Sequence, residues 1–416
     1  MTDHSEAARL ADAVPAQRDA LAQRFRQVRA RSAELTTSLS AEDQGVQSMP
    51  DASPTKWHLA HTAWFFEAVV LVPHATGYRP FDARFFHLFN SYYDALGSRH
   101  PRPQRGLLTR PSLEEVHAFR RHVDAAVARF IEDASASAWT AAEPLLTLSL
   151  HHEQQHQELM LTDLLHAFSC NPLLPAYASA SAPERHRAAE PLAWVPGPAG
   201  AVAIGHAGDG FAFDNEGPRH TVWLAPYELG HRLVTCGEYA DFIADGGYRT
   251  PSLWLSEGWA TVQAQGWQAP LYWLAPGDPR APADHWQVFG LQGVGPLDPS
   301  APVRHLSFYE AAAYAEWAGA RLPTEAEWEA ASSDARLTQL TGHAWQWTRS
   351  AYDPYPGYRP WSGAVGEYNG KFMVGQIVLR GGSLATPEGH TRPTYRNFFP
   401  PAARWQFTGV RLARDL

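Results

Sequence analysis

Cysteine is nearly absent: Cys170 and Cys236 are the only two in 416 residues. That excludes a disulfide scaffold and any multi-cysteine zinc or iron–sulfur site. Positive charge is in deficit as well. With 34 Lys and Arg against 43 Asp and Glu, the net charge of −9 argues against a protein that tracks nucleic-acid phosphates. No uncharged apolar run is long enough to span a bilayer. The start, Met1-Thr2-Asp3-His4-Ser5-Glu6, lacks the basic-then-apolar order of a secretion signal. A soluble cytoplasmic protein, with neither membrane nor nucleic acid as partner, is the expectation.

Aromatic residues are abundant: 16 Trp, 15 Tyr and 19 Phe. Most should be core, because these rings bury large areas and anchor loop-rich domains. At 45% hydrophobic residues, the chain can bury enough surface for two or three domains. Arg99, Arg102, Arg105 and Arg110 share one Pro-rich stretch, which suits either a solvated loop or an anionic small molecule.

The first part reads as helical. Residues 17–34 carry Ala, Arg, Gln and Leu at helical spacing, and Pro54 suits the first turn of a helix running to Val70. Ser112-Leu113-Glu114-Glu115 is a capping-box pattern for a third helix through Phe130. A fourth runs from Glu143 to Phe168, and four such helices predict an antiparallel bundle. The 73–111 connection is long for a bundle, and long ordered loops tend to be functional. Residues 171–191, rich in Ala, Ser and Pro, read as a linker. Beyond it, short strand-like runs (201–204, 221–224, 378–379) alternate with turns, and two helices stand out, at 235–244 and 307–318. This predicts an irregular α+β domain.

Chemistry concentrates in His152-Glu153-Gln154-Gln155-His156. Histidines four apart lie on one helical face, so both imidazoles can reach one metal. Their neighbours Leu146, Leu148, Leu150, Leu159 and Leu161 make the context apolar, where two histidines without a partner are costly. The bare pattern also fits a zinc hydrolase with Glu153 as general base. A third ligand is needed, and Trp57-His58-Leu59-Ala60-His61 offers two candidates, His58 and His61, on one face of another helix. His151 and His166 read as structural. Fe(II) on three neutral ligands, with positions open, suits binding of dioxygen together with a substrate.

These motifs, with Asn90-Ser91-Tyr92-Tyr93 and Arg392-Pro393-Thr394-Tyr395-Arg396-Asn397-Phe398-Phe399, resemble the ergothioneine-synthase family. That family joins a DinB-like four-helix bundle to a formylglycine-generating-enzyme-type, C-type-lectin-like domain. Marks of the second domain are Arg321-Leu322-Pro323-Thr324-Glu325-Ala326-Glu327-Trp328-Glu329, Leu379-Arg380-Gly381-Gly382-Ser383 and Phe407-Thr408-Gly409-Val410-Arg411. The resemblance implies a bundle over 1–185 and the second domain over 190–416. It implies Fe(II) held by His61, His152 and His156, O2 as co-substrate, and tyrosines near the iron at Tyr92 and Tyr93. Hercynine, the betaine of histidine, is the implied acceptor. Gln155 and Asn397 match residues that contact it, and Tyr395, Arg396, Phe398 and Phe399 lie in the same motif. A trimethylammonium group suits an aromatic surface.

The sequence departs from the family in the second domain. Gly342-His343-Ala344-Trp345-Gln346-Trp347 stands where two carboxylates are usual, the segment 330–341 is compressed, and Val374-Gly375 replaces a Cys-Asn pair. The chain is similar to the selenoneine-synthase branch, which implies a selenosugar donor and selenoneine as product. Gln346, Gln376, Trp345 and Trp405 are the candidate donor-pocket residues, since sugar hydroxyls need neutral hydrogen-bonding and aromatic surfaces. The alternatives are a sulfoxide synthase using cysteine or γ-glutamylcysteine and, more remotely, the zinc hydrolase or a non-catalytic binding protein.

Overall fold

A computed structural model describes residues 3–178 and 189–416. The chain divides into two compact units, one of residues 1–167 with 362–367, the other of residues 168–361 with 368–416. The expected boundary at 185 lies outside the described residues. Residues 177 and 178 go with the second unit because both donate their backbone N–H to the Leu291 carbonyl.

The first unit is built on four long helices: α1 (Asp3–Glu34), α2 (Thr55–Phe66), α3 (Leu113–Asp133) and α4 (Ala136–Ser169). The capping box of α3 is formed as expected, with Ser112 accepting from the Glu115 N–H. Its buried face, Val116, Phe119, Val123, Val127 and Phe130, has the three-and-four spacing of an amphipathic helix. α2 is buried at eleven of its twelve positions. A π-helical stretch, Glu67–Leu71, continues it, a feature common beside functional sites. α4 begins at Ala136, seven residues before the expected start, with Pro144 inside it. The upstream turns hold because Trp139 and Ala142 are buried and the Arg18 guanidinium lies 4.7 Å over the Trp139 ring. Packing there outweighs the N–H that proline removes.

The second unit is α+β. Strands β1 (Trp194–Pro196), β4 (Tyr227–Gly230) and β12 (Ala413–Asp415) make one antiparallel sheet in the order β1-β4-β12. β2 (Gly200–Ile204) and β3 (His220–Leu224) pair in a two-stranded ribbon, and β5 (Trp273–Leu274), β6 (Gln287–Gly290) and β7 (Gly293–Pro296) form a third sheet. The fourth is β10-β9-β8-β11, from β8 (Trp345–Ala351), β9 (Ile377–Arg380), β10 (Asn397–Phe399) and β11 (Thr408–Gly409), with β11 parallel to β8. Helices α5 (Cys236–Ala244) and α7 (Phe308–Trp317) occupy the two expected places, while α6 (Ser256–Gln265) and α8 (Glu325–Ala331) are additional. α8 carries a full capping box, Thr324 with Glu327. A core of Val195, Leu224, Tyr227, Leu229, Leu337 and Ala413 packs beneath the β1-β4-β12 sheet. Among the described residues no helix is long and apolar enough to cross a membrane.

Candidate metal centre

Helix periodicity builds the first half of the site. On α4, His152 and His156 lie one turn apart, edge to face, with ring centroids 4.5 Å from each other. From α2, His61 comes within 4.9 Å of His152 and 4.6 Å of His156, centroid to centroid. One ligand nitrogen from each ring lies within 4.8 Å of the others, the one such metal-competent group among the described residues. His61 Nε2 is 3.2 Å from His152 Nε2. Nitrogens bound to a metal at roughly 2.0–2.1 Å sit about 2.8–3.4 Å apart at right-angled to tetrahedral bite, so the spacing of this pair fits a shared ion.

The second half is ring orientation. His61 is sandwiched on its own helix, with Trp57 stacked at 4.6 Å and Trp64 at 5.3 Å, four residues before and three after it. Its Nδ1 donates to the Phe89 carbonyl at 2.6 Å, which leaves Nε2 as a lone-pair donor. Phe65 covers His152 at 4.1 Å. Burial drives all three imidazoles to the neutral form. It lowers the His152 pKa to about 3 and, helped by the neighbouring His152, holds His61 and His156 well below the ordinary histidine range. Neutral imidazole is the state that ligates a metal, so the three residues fit a bound metal ion.

His58, the other α2 candidate, lies behind this centre. Its Nδ1 faces His156 Nδ1 at 2.8 Å and its Nε2 faces Asp163 Oδ2 at 3.0 Å. Asp163 belongs to none of the motifs above, although a position seven residues after His156 falls on the same face of α4. His151 is occupied by the Arg24 guanidinium and His166 by the Ser48 hydroxyl.

Glu153 corrects the hydrolase alternative. It is fully buried, with Oε1 accepting from Ser32 and Arg120 and Oε2 from Arg29. Burial alone would raise its pKa, but the two guanidiniums outweigh that and hold the carboxyl below its ordinary value. A carboxylate locked between two arginines is a structural anion, unavailable as a general base beside the histidines.

Tyr93 is fully buried and packs on Trp64 at 5.8 Å and on Phe65 at 5.5 Å, while Tyr92 is half-buried and stacks on Tyr93 at 4.6 Å. The Tyr93 hydroxyl donates to that of Tyr92 at 3.4 Å. Asn90 pins this loop through the Tyr93 N–H and carbonyl, and Glu367 accepts the N–H groups of Asp94 and Ala95. Gln155, between His152 and His156 on α4, is half-buried.

In the second unit the candidates divide. Asn397, Phe398 and Phe399 form β10 and are each half-buried. Phe398 stacks on Tyr352 at 4.0 Å, and Phe399 meets Trp405 edge-on at 5.9 Å. Tyr395 and Arg396, expected at the substrate, are core instead. Tyr395 is 3% exposed among Phe213, Trp345, His390 and Arg392. Arg396 makes a bidentate pair with Glu325 at 2.9 and 3.0 Å, and donates further to the Asn215 and Asp353 carbonyls. The donor-pocket assignment of Gln346 also fails. Its Oε1 accepts from Trp328 and Arg411, and its Nε2 donates to the Leu340 carbonyl, so no group is left for a sugar. Trp345, 2% exposed, is core with it, whereas Gln376 and Trp405 stay half-buried.

Comparison with known proteins agrees with this division. The DinB superfamily model matches residues 24–160, and the sulfatase-modifying factor enzyme 1-like domain matches 179–337 and 332–416. Hercynine oxygenase from Mycolicibacterium thermoresistibile is 32% identical over 419 residues, covering 88% of this chain and 88% of its own. The chain belongs to the hercynine oxygenase family. A second hercynine oxygenase, from Mycolicibacterium smegmatis, is 32% identical over 65% of this chain and 71% of its own length. Ergothioneine biosynthesis protein 1 of Schizosaccharomyces pombe is 24% identical over 49% of this chain and 28% of its own. Membership in the hercynine oxygenases covers both units, helical and α+β.

Proposed function

We propose that this protein is a mononuclear non-haem Fe(II) oxidoreductase that uses dioxygen to join a chalcogen to the ring carbon of hercynine between the two nitrogens. The observation that carries the reading is the convergence of three neutral, buried imidazoles, His61, His152 and His156, in a member of the hercynine oxygenase family. Fe(II) held there supplies open coordination positions and one-electron chemistry with dioxygen. The chain supplies the rest. Trp57 and Trp64 hold the His61 ring in its plane, and burial keeps bulk water from the three rings. In this reading the half-buried Tyr92 phenol, hydrogen-bonded to Tyr93, holds or releases a proton at its oxygen. Gln155 contacts hercynine in this reading, Asn397 orients its carboxylate, and Phe399 or Phe398 offers an aromatic face to the trimethylammonium group.

The donor in this reading is a selenosugar, joined through its selenium to the hercynine ring, and selenoneine follows once the selenium–sugar bond is broken. Its support is the likeness to the selenoneine-synthase branch and the loss of acidic groups in segment 342–347, with Gln376 and Trp405 as the neutral surface that remains. The competing donors are cysteine and γ-glutamylcysteine. Anaerobically prepared Fe(II) protein, given hercynine, oxygen and either a 1-selenosugar or the two thiols, tests both levels. Turnover with the selenosugar supports the full reading. Turnover with a thiol alone keeps the hercynine chemistry and removes selenium. Oxygen uptake that never depends on hercynine removes both.

A further inference from the structure

The hydrogen-bond chain behind His156 has a direction that its end fixes. Asp163 Oδ2 accepts the Ser53 backbone N–H at 2.8 Å, and the same oxygen lies 3.0 Å from His58 Nε2. A backbone N–H only donates, so that oxygen is an acceptor, and His58 carries its proton on Nε2. A single ring proton, placed on Nε2 by the carboxylate, leaves a lone pair at Nδ1. Facing it at 2.8 Å is His156 Nδ1, which must donate. His156 is then protonated at Nδ1 and holds its lone pair on Nε2. His58, Asp163 and His156 are all buried, at 2%, 6% and 9% exposure, so water does not compete for these positions.

We infer that Asp163 and His58 are a positioning pair that fixes the tautomer of His156, leaving its Nε2 unprotonated before a metal arrives. The inference rests on the metal role of the three histidines proposed above. It also separates two ligands that otherwise look alike. His61 is oriented by the Phe89 backbone carbonyl, an acceptor that no side-chain substitution removes. His156 is oriented through a second imidazole that ends on a carboxylate. Negative charge passed along such a chain makes the ligand more basic, and loss of the supporting partner commonly weakens metal binding about 10–100-fold.

Three substitutions test the pair. His58→Gln keeps both functions, since an amide oxygen can accept from His156 Nδ1 and an amide N–H can donate to Asp163. His58→Leu fills the space with neither. Asp163→Asn retains an acceptor oxygen and loses the charge. In metal-free protein, imidazole nitrogen shifts should report His156 protonated at Nδ1 in wild type and in His58→Gln, and a mixture in His58→Leu. Chelator competition with Fe(II) or Co(II) should give about 10–100-fold weaker binding for His58→Leu, within about 3-fold of wild type for His58→Gln, and an intermediate value for Asp163→Asn. The Co(II) absorption bands should move in the same order. Should His58→Leu not fold, Asp163→Ala removes the acceptor and carries the same test. Unchanged tautomer and affinity in His58→Leu, or His58→Gln as impaired as His58→Leu, overturns the inference. Wild-type protein that binds no divalent metal overturns the metal reading instead, while the nitrogen shifts still decide the tautomer.

Discussion

Both units bury clusters of polar side chains, and the two clusters obey opposite rules. In the α+β unit, Glu325 is gripped by Arg380 and Arg396, and Arg380 also reaches Glu329, every contact near 2.9 Å. Each charge there meets an opposite charge, the condition under which burying ions is tolerable. In the helical unit, three neutral rings of one kind are brought together with nitrogens turned toward one another, an arrangement that offers little to stability by itself. Complementary pairing marks a group that holds the fold. Converging like groups, in the function proposed above, wait for a ligand. α4 contains both cases in adjacent residues, since His152 belongs to the second kind and Glu153, clamped by Arg29 and Arg120, to the first.

The largest effect should come from the ligands. His61→Ala, His152→Ala and His156→Ala are each expected to abolish metal retention, measured by elemental analysis, with helical content retained by circular dichroism. Two histidines cannot fix the coordination geometry. Full iron occupancy in His61→Ala would reassign the third ligand. Glu153→Gln should do the reverse. Leaving two arginines without their shared anion should cost about 3–5 kcal/mol of stability while the metal stays bound. The pH dependence follows in sign. Because the folded carboxyl titrates below its ordinary range, its contribution is complete above the unfolded pKa of about 4.5 and is lost as pH falls through the folded value. The gap in Tm between wild type and Glu153→Gln should therefore narrow on acidification below about pH 4.5. A variant of unchanged stability with a specific loss of hydrolytic activity would restore the hydrolase alternative.

What was legible in the sequence follows the same division. Periodicity and caps marked the four helices, although α1 begins fourteen residues and α4 seven residues before the expected start, and put His152 beside His156, because helix contacts are local in sequence. It left His58 and His61 unresolved, since both lie on one face of α2, and only family likeness chose between them. The opposite roles of Glu153 and His152 were invisible, because the partners of Glu153 come from Ser32, Arg29 and Arg120, on two other helices. Asp163 escaped for a related reason: its partner His58 is 105 positions away. In the α+β unit, short strands such as β8 and β11 carry too few residues for a period, and pairings such as Thr408 with Trp345 are long-range. Tyr395, Arg396 and Gln346 read as site residues because polar and aromatic types in a motif do not disclose which of them face inward.

Gln346 offers a smaller test of the comparison. Its amide joins Trp328, Arg411 and the Leu340 carbonyl, and the buried Arg411 guanidinium depends on it for one of its bonds. Gln346→Ala should lower stability by about 1–3 kcal/mol, the cost of leaving buried partners unsatisfied. The KM for the donor, measured with whichever chalcogen compound turns over, should not change. A raised donor KM at unchanged stability would return Gln346 to the pocket.

The smallest effects belong to single polar contacts at the acceptor. Gln155 stands on α4 between His152 and His156, half-buried, which is where a side chain can meet a molecule bound at the three rings. Asn397 opens β10, and its Oδ1 accepts the Phe398 N–H at 2.9 Å, so part of its amide is spent on the backbone. Each substitution to alanine should therefore weaken hercynine binding by roughly 0.5–3 kcal/mol, the larger value if the contact is to the charged carboxylate. Metal content should stay at the wild-type value in both, because neither residue belongs to the three-histidine group. The two losses should be separable by ligand. A hercynine analogue without the carboxylate should erase the effect of Asn397→Ala and preserve that of Gln155→Ala. Unchanged hercynine affinity in both variants, measured by calorimetry on the anaerobic Fe(II) protein, would remove the proposed acceptor contacts and leave the metal centre standing.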